Sequence, residues 1–574
     1  MSDASYNQTN EQIMSQPVSA DQRNGTTWLW VAIALFAAMV VYVNPFRDVA
    51  VDDDWTYTAT VRHLVETGRY QLDQFSVPNM PFQIYTAALF SQAIGFSLST
   101  VRLVTIVMAF IGLVGFYKLA RENDLDQRTA SLLALIWAGS PLLAHLSFTF
   151  MTEVTFMACM VVALWLYSRA TRLLSLPTML LASVAASAAI LTRQFGAVIV
   201  GALFLVWITD PSLRRRFALF IAGAVLPAIA VCYQVWAGMN HPTWAQGFVK
   251  TGVTTYVSDV GGFLFGLLWR PVVLMLYIAL FSLPMLVPMI SEWIASLRGR
   301  AAAPMGDDAP RRRSPWIAAG AAAAIVLILL GGSLLFHLPI RMPVVPWNFN
   351  ILARSGRVVT LGITVVLTIG AALLVRTLLA DRAARGSWRA SGNAWPFLAI
   401  TSACFLVFNL TYYKFGDDYA LPYLPFLLIT AGHYLRPFMA RHARAIGIFG
   451  AAMVVVCALW IRGWIEAETA AWKAADTVLA KGVNPRRING LWNWDCYHGA
   501  FNEFQEDIGH RPISTLDSMY IWYRDRRSRC NYVISSTPKI EGGPWVEEGR
   551  MPYRTFLLSE HYIYIMRREQ LLVP

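Results

Sequence analysis

Thirteen apolar stretches run down the chain, each close to the length a helix needs (about 20 residues) to cross about 30 Å of hydrocarbon. They lie near 28–43, 99–118, 130–148, 153–169, 176–192, 195–209, 217–237, 268–290, 316–337, 357–376, 396–412, 419–435 and 444–462. No other feature constrains the fold as strongly, because a backbone in lipid must satisfy its polar groups within helices or closed barrels. Composition agrees: 56% of the 574 residues are hydrophobic and only 14% charged, against about 25% charged in soluble domains. A soluble enzyme, a disordered chain, a disulfide-rich secreted domain and a coiled coil are thereby excluded. No basic segment precedes the first stretch, so it reads as an uncleaved spanning helix.

Charge orients the bundle. With the N-terminus inside, the alternate loops on that side hold 20 Lys and Arg, against 8 in the loops outside. This is the bias expected of cytoplasmic loops. The net charge of +12 is therefore a topology signal and not a nucleic-acid footprint. A fourteenth apolar segment, 81–96, would reverse every later loop if it crossed. It is expected to lie at the outer interface as a helix opening at Pro81.

The expected fold is thus an α-helical polytopic membrane protein of about 13 transmembrane helices, with non-spanning helices in the first outer loop and a small C-terminal α/β domain outside. Residues 1–26 form a polar, disordered cytoplasmic tail. Residues 27–464 form the transmembrane domain, with 44–98 as the first outer loop. Residues 465–574 form the extracytoplasmic domain, with strand-like runs at Asn531–Ser535 and His561–Met566. The stretch 298–315 reads as a cytoplasmic linker. Cys496 and Cys530 lie in an oxidising compartment on this topology, where they either pair or remain thiols.

Charged residues near the outer membrane surface are the candidates for chemistry, because charge there is costly. Asp52, Asp53 and Asp54 are adjacent and open a helix that includes Tyr57 and ends near Gly68. One Asp is explained as a helix cap, but three adjacent carboxylates repel. The run suits a general base or a divalent-cation site for Mg²⁺ or Mn²⁺. Glu153 opens a span, where a first-turn acid is also stabilised by the helix dipole. Asp417 and Asp418 precede another. Arg193, Arg341 and Lys414 break the charge rule on the outer side. They either snorkel to headgroups or hold a phosphate. Nucleotide-binding, zinc-protease and serine-hydrolase motifs are absent from the sequence. So is a chain of mid-span ionisable residues of the kind that marks an ion-coupled transporter.

Four features resemble the C-type glycosyltransferases, the bacterial relatives of protein O-mannosyltransferases and of the lipid A aminoarabinose transferase. They are Asp53-Asp54-Trp55-Thr56-Tyr57 through Arg62, Pro81-Phe82-Gln83-Ile84-Tyr85, Thr152-Glu153, and Leu191-Thr192-Arg193. The resemblance covers most of 28–435. It implies transfer of a sugar from a polyprenyl-phosphate carrier to a lipid, glycan or protein acceptor at the outer face, as in a bacterial inner membrane. It implies Asp53 as general base, with Asp54 and Glu153 beside it, an inverting displacement, phosphate contacts from Arg193, Lys414 and Arg341, and no cofactor or metal. Asn79 and Met80 stand where relatives often carry a Lys before the Pro, and Glu153 replaces the commoner Asp. A flippase of lipid-linked sugars and a polysaccharide polymerase or ligase are the competing readings.

Overall fold

In a computed structural model the chain is described over residues 25–247, 258–297, 365–374, 394–411, 417–507, 516–540, 543–555 and 559–569. The tail before 25, the linker 298–315, the stretch 316–337 and part of 357–376 lie outside these residues, as do Arg341 and Lys414.

Among the described residues helices form at the apolar stretches, with ends set by local chemistry. The first runs over Thr27–Val43. The helix Leu98–Glu122 starts at Ser97, whose side chain accepts from the Thr100 amide, and Gln127–Ala138 starts at Asp126, which caps Thr129. Both use a side-chain oxygen to satisfy an amide that the first turn leaves unpaired. Thr152–Leu173, Leu176–Ile190, Ala197–Thr209 and Phe217–Asn240 follow. Among the described residues four helices are long and apolar enough to cross a membrane, or five if one bent pair counts as a span.

Three stretches depart from single straight helices. The expected span 130–148 breaks at Gly139-Ser140-Pro141 into Gln127–Ala138 and Pro141–Leu146. The expected span 268–290 breaks at Ser282, where Leu274–Phe281 and Leu283–Ala295 meet at 91°. The stretch 419–435 begins as a 3₁₀ turn, Asp417–Tyr423, before the helix Leu424–Tyr434. Proline stands at or beside each break. It lacks the N–H that would continue the helix, and its ring clashes with the preceding turn.

The segment 81–96 forms a helix over Pro81–Ile94. Its 14 residues reach about 21 Å, short of the hydrocarbon thickness. The Phe82 amide donates to Leu191 O at 3.2 Å, which ties this helix to the turn before Arg193. At the opposite end of the bundle Glu122 meets Arg172 at 2.7 Å and Asp126 meets Arg436 at 3.1 Å. These two ion pairs bring together the ends of four described helices, Leu98–Glu122, Gln127–Ala138, Thr152–Leu173 and Arg436–Leu479.

The last long helix, Arg436–Leu479, has 44 residues and a non-helical kink at His442. It runs unbroken through 464–465, so the bundle and the C-terminal segment share it. A four-stranded sheet packs on its far part in the order β1-β2-β4-β3, with β1 Ile488–Asn489, β2 Tyr532–Ser535, β3 Trp545–Arg554 and β4 Glu560–Arg568. β1 and β2 are parallel and the remaining pairs antiparallel. A second apolar core joins this segment to the loop after the first helix. It includes Val49 and Val51 from the loop, Trp55 from the helix that follows it, and Ala474, Trp494, Phe501 and Ile565 from the C-terminal part. Cys496 and Cys530 are both buried free thiols in this segment.

Candidate active site

The acidic run lies between the first helix and the helix Asp54–Thr67, which ends at Gly68 with φ +70°. Its three carboxylates meet three different parts of the molecule. Asp54 is 1% exposed. One oxygen accepts from the Val51 amide at 2.8 Å, and the other meets Nη2 of Arg102 at 3.2 Å. Arg102, also 1% exposed, donates to Pro45 O at 2.7 Å and Val49 O at 2.8 Å. It therefore staples the chain on both sides of the loop. Burial pushes the Asp54 carboxyl up to about 7 against the opposing pull of Arg102.

Asp52 has φ +51°, a left-handed conformation that Asp tolerates better than most side chains. Its Oδ2 lies 3.1 Å from Nε2 of His145. Asp53 occupies the cap position of the helix without a side-chain cap bond. Its Oδ1 instead lies 3.4 Å from the indole Nε1 of Trp492, a residue of the C-terminal segment. The capping explanation thus fails for the Asp53 carboxylate, and distributed partners limit the repulsion within the run. Tyr57, one turn on, is buried in the main core. Thr56 donates to Asp73 at 2.7 Å, and burial raises the Asp73 carboxyl above its ordinary value.

A second polar group forms around Glu153, in the first turn of Thr152–Leu173. Arg193 Nη1 meets its Oε1 at 2.5 Å. The Arg193 guanidinium also lies over the rings of Phe195 at 5.4 Å and Tyr419 at 5.8 Å. Gln83 of the short helix donates to Phe150 O at 2.9 Å, just before Glu153. The structure therefore joins three of the features singled out in the sequence: the Pro81 helix, Glu153 and Arg193.

Arg102, His145 and Trp492 were not visible as site residues. Arg102 had a signal, a cation inside the first turn of an apolar span against the charge rule. His145 is a lone histidine in an apolar run, and Trp492 is one aromatic among many. Trp492 belongs to an aromatic seam over the loop. Phe75 lies 5.2 Å from Trp55, 5.0 Å from Phe501 and 6.2 Å from Trp492, while Trp244 meets Phe501 at 5.4 Å. Arg62 donates to the Tyr497 hydroxyl, a further link between the loop and the C-terminal segment. Among the described residues no group of three or more His, Cys, Asp or Glu side chains is arranged to hold a metal ion.

Comparison with known proteins falls on the same region. Residues 76–236 match the family described as dolichyl-phosphate-mannose-protein mannosyltransferase. The matched span contains Gln83, Arg102, His145, Glu153 and Arg193 and begins shortly after the acidic loop. No curated protein matches the chain. Among solved structures, ArnT from Cupriavidus metallidurans in the apo state is similar at 15% identity and a TM-score of 0.42, over 95% of this chain and 99% of that one. The same protein bound to undecaprenyl phosphate gives 15% and 0.41, over 96% and 99%. AglB from Archaeoglobus fulgidus, in complex with an inhibitory peptide and a dolichol-phosphate, gives 12% and 0.45 over 97% and 75%.

Proposed function

We propose that this chain is an integral-membrane glycosyltransferase that moves a sugar from a polyprenyl-phosphate carrier to an acceptor hydroxyl. The observation that carries the reading is the family match over 76–236, which encloses the Glu153–Arg193 pair and directly follows the acidic loop. On this reading Asp53 is the general base. It removes the acceptor proton as the oxygen attacks the anomeric carbon. The carbon–phosphate-oxygen bond breaks, and the polyprenyl phosphate leaves with the electron pair. Its phosphate is a stable anion once cations hold it, so no strong general acid is required. Direct displacement inverts the anomeric centre.

Asp54 serves differently from Asp53. Buried and paired with Arg102, it anchors the loop and does not touch substrate. Arg193 holds the donor phosphate together with Lys414 and Arg341, and Glu153 keeps the guanidinium oriented before the donor arrives. Thirteen spans, an inside N-terminus and a C-terminal segment on the outer side of a bacterial inner membrane complete the proposal. The loop charge bias supports that orientation.

The test compares lipid-linked and cell-surface glycans by mass spectrometry in cells with the gene, without it, and with Asp53→Asn. Loss of a carboxylate base lowers the rate by about 10²–10⁴. The variant is therefore expected to match the deletion while accumulating normally in the membrane. A wild-type glycan profile from Asp53→Asn would overturn the base assignment. An unchanged profile in the deletion would overturn the transferase reading.

A further inference from the structure

We propose that His145 is a positioning residue for Asp53: by holding the Asp52 carboxylate it fixes the left-handed backbone turn that presents the next residue. The functional meaning rests on the reading of Asp53 as base, but the tether is argued from geometry alone.

Three observations carry it. First, the loop is pinned on both sides of Asp53. Asp54 is fixed by Arg102 and by the Val51 amide, and Asp52 by His145 at 3.1 Å. Between these two anchors the backbone turn at Asp52 sets how the chain enters Asp53 and the helix that follows. Second, that backbone sits at φ +51°, a region in which a residue with a Cβ is disfavoured and glycine is not. A conformation of this kind persists where surrounding contacts over-determine it. The His145 bond is such a contact.

Third, His145 is itself immobilised. It is 0% exposed and lies in the short helix Pro141–Leu146 created by the Gly139-Ser140-Pro141 break. Trp460 and Trp464, four residues apart on one face of the long helix, lie 5.0 Å and 4.4 Å from its ring. The close passage of Gly139 beside that helix, where an added Cβ would meet Gly450 O at 3.3 Å, brings the histidine there. Its Nδ1 is buried with no hydrogen-bond partner among the described residues. The tautomer with the proton on Nε2 is therefore the one that leaves no buried donor unpaired. That proton points to Asp52.

The experiment uses the full chain in lipid nanodiscs and measures amide hydrogen exchange of residues 51–55 by mass spectrometry. His145→Phe keeps an aromatic ring beside the indoles and removes the N–H. It is expected to raise exchange in 51–55 by on the order of tenfold without changing peptides from 108–122. His145→Gln retains an amide donor near the Nε2 position and is expected to stay near wild type. Asp52→Gly adopts positive φ without a tether and is expected to exchange within about twofold of wild type. The decisive variant is His145→Phe with Asp52→Gly. Glycine should return exchange to the Asp52→Gly level, a rescue that a mere packing role of His145 would not produce. Unchanged exchange in His145→Phe, or a double variant as loose as His145→Phe, would overturn the proposal. The expected exchange pattern alongside a fully active Asp53→Asn would uphold the tether and remove only the base assignment.

Discussion

The Arg102–Asp54 pair offers the sharpest test of how the loop is held. Replacing Arg102 with Met preserves much of the side-chain length but removes every donor. Asp54 then lies buried without its cation, and Pro45 O and Val49 O lose bonds of 2.7 and 2.8 Å. Removing one partner of a buried pair costs about 3–5 kcal/mol. Protonation of Asp54, whose carboxyl already sits at about 7, moderates that figure near neutral pH, so the low end is expected there and a larger loss at pH 8. Domain stabilities are typically about 5–15 kcal/mol. The loop over 45–54 should therefore detach while the bundle stays folded. A double-mutant cycle isolates the charge term. Arg102→Met, Asp54→Leu and the double variant are compared by SDS-induced unfolding in mixed micelles. The lost carbonyl bonds occur in both the Arg102→Met single and the double variant and cancel. The double variant should be more stable than the sum of the singles by about 2–3 kcal/mol, because no unpaired charge remains. Additivity within about 0.5 kcal/mol would refute the claim that this pair anchors the loop.

Other consequences are testable with the same protein. The Asp54 carboxyl titrates higher folded than in its ordinary range near 3.8. The folded state thus binds that proton more tightly, and the stability it contributes is full below about pH 4 and is lost as pH rises through about 7. Asp54→Asn should flatten stability across that window; an unchanged slope would count against the assignment. Trp492→Phe retains a ring against Phe75 and Tyr523 but loses the donor to Asp53. Since a hydrogen bond to the charged form favours it, on the proposal that Asp53 is the base the ascending limb of the pH–rate profile should move to higher pH, and a stationary limb would count against a role for the indole contact in that proposal. In the C-terminal segment Arg526 joins Asp495 at 3.4 Å and Glu503 at 3.0 Å. Burial already pushes the Asp495 carboxyl up to about 6. Arg526→Met should destabilise this segment by about 3–5 kcal/mol and expose 480–569 to limited proteolysis; protease resistance equal to wild type would contradict it.

What could be read in advance depended on whether the deciding interaction was local. Apolar length located the described helices, and the expectation that the Pro81 helix does not cross rests on the charge pattern, which crossing would invert. The breaks at Gly139-Ser140-Pro141 and at Ser282 escaped notice because hydropathy averages over a proline that has a leucine beside it, Leu142 or Leu283, although the missing N–H was there to be read. The site itself was only half visible. Asp52–Asp54, Glu153 and Arg193 stand out as charges in costly places, whereas their partners act across 48 residues for Arg102, 93 for His145 and 439 for Trp492. No periodicity encodes such separations. Yet the run of like charge did carry information about them. Three adjacent carboxylates cannot share one environment without mutual repulsion raising their pKa values. A folded chain that keeps them must send them to separate partners. Here those partners are a span's first turn, a broken helix and the C-terminal segment. In such an arrangement the backbone on either side of the middle carboxylate is held by its neighbours' contacts, which is the positioning that the proposed role of Asp53 as general base calls for.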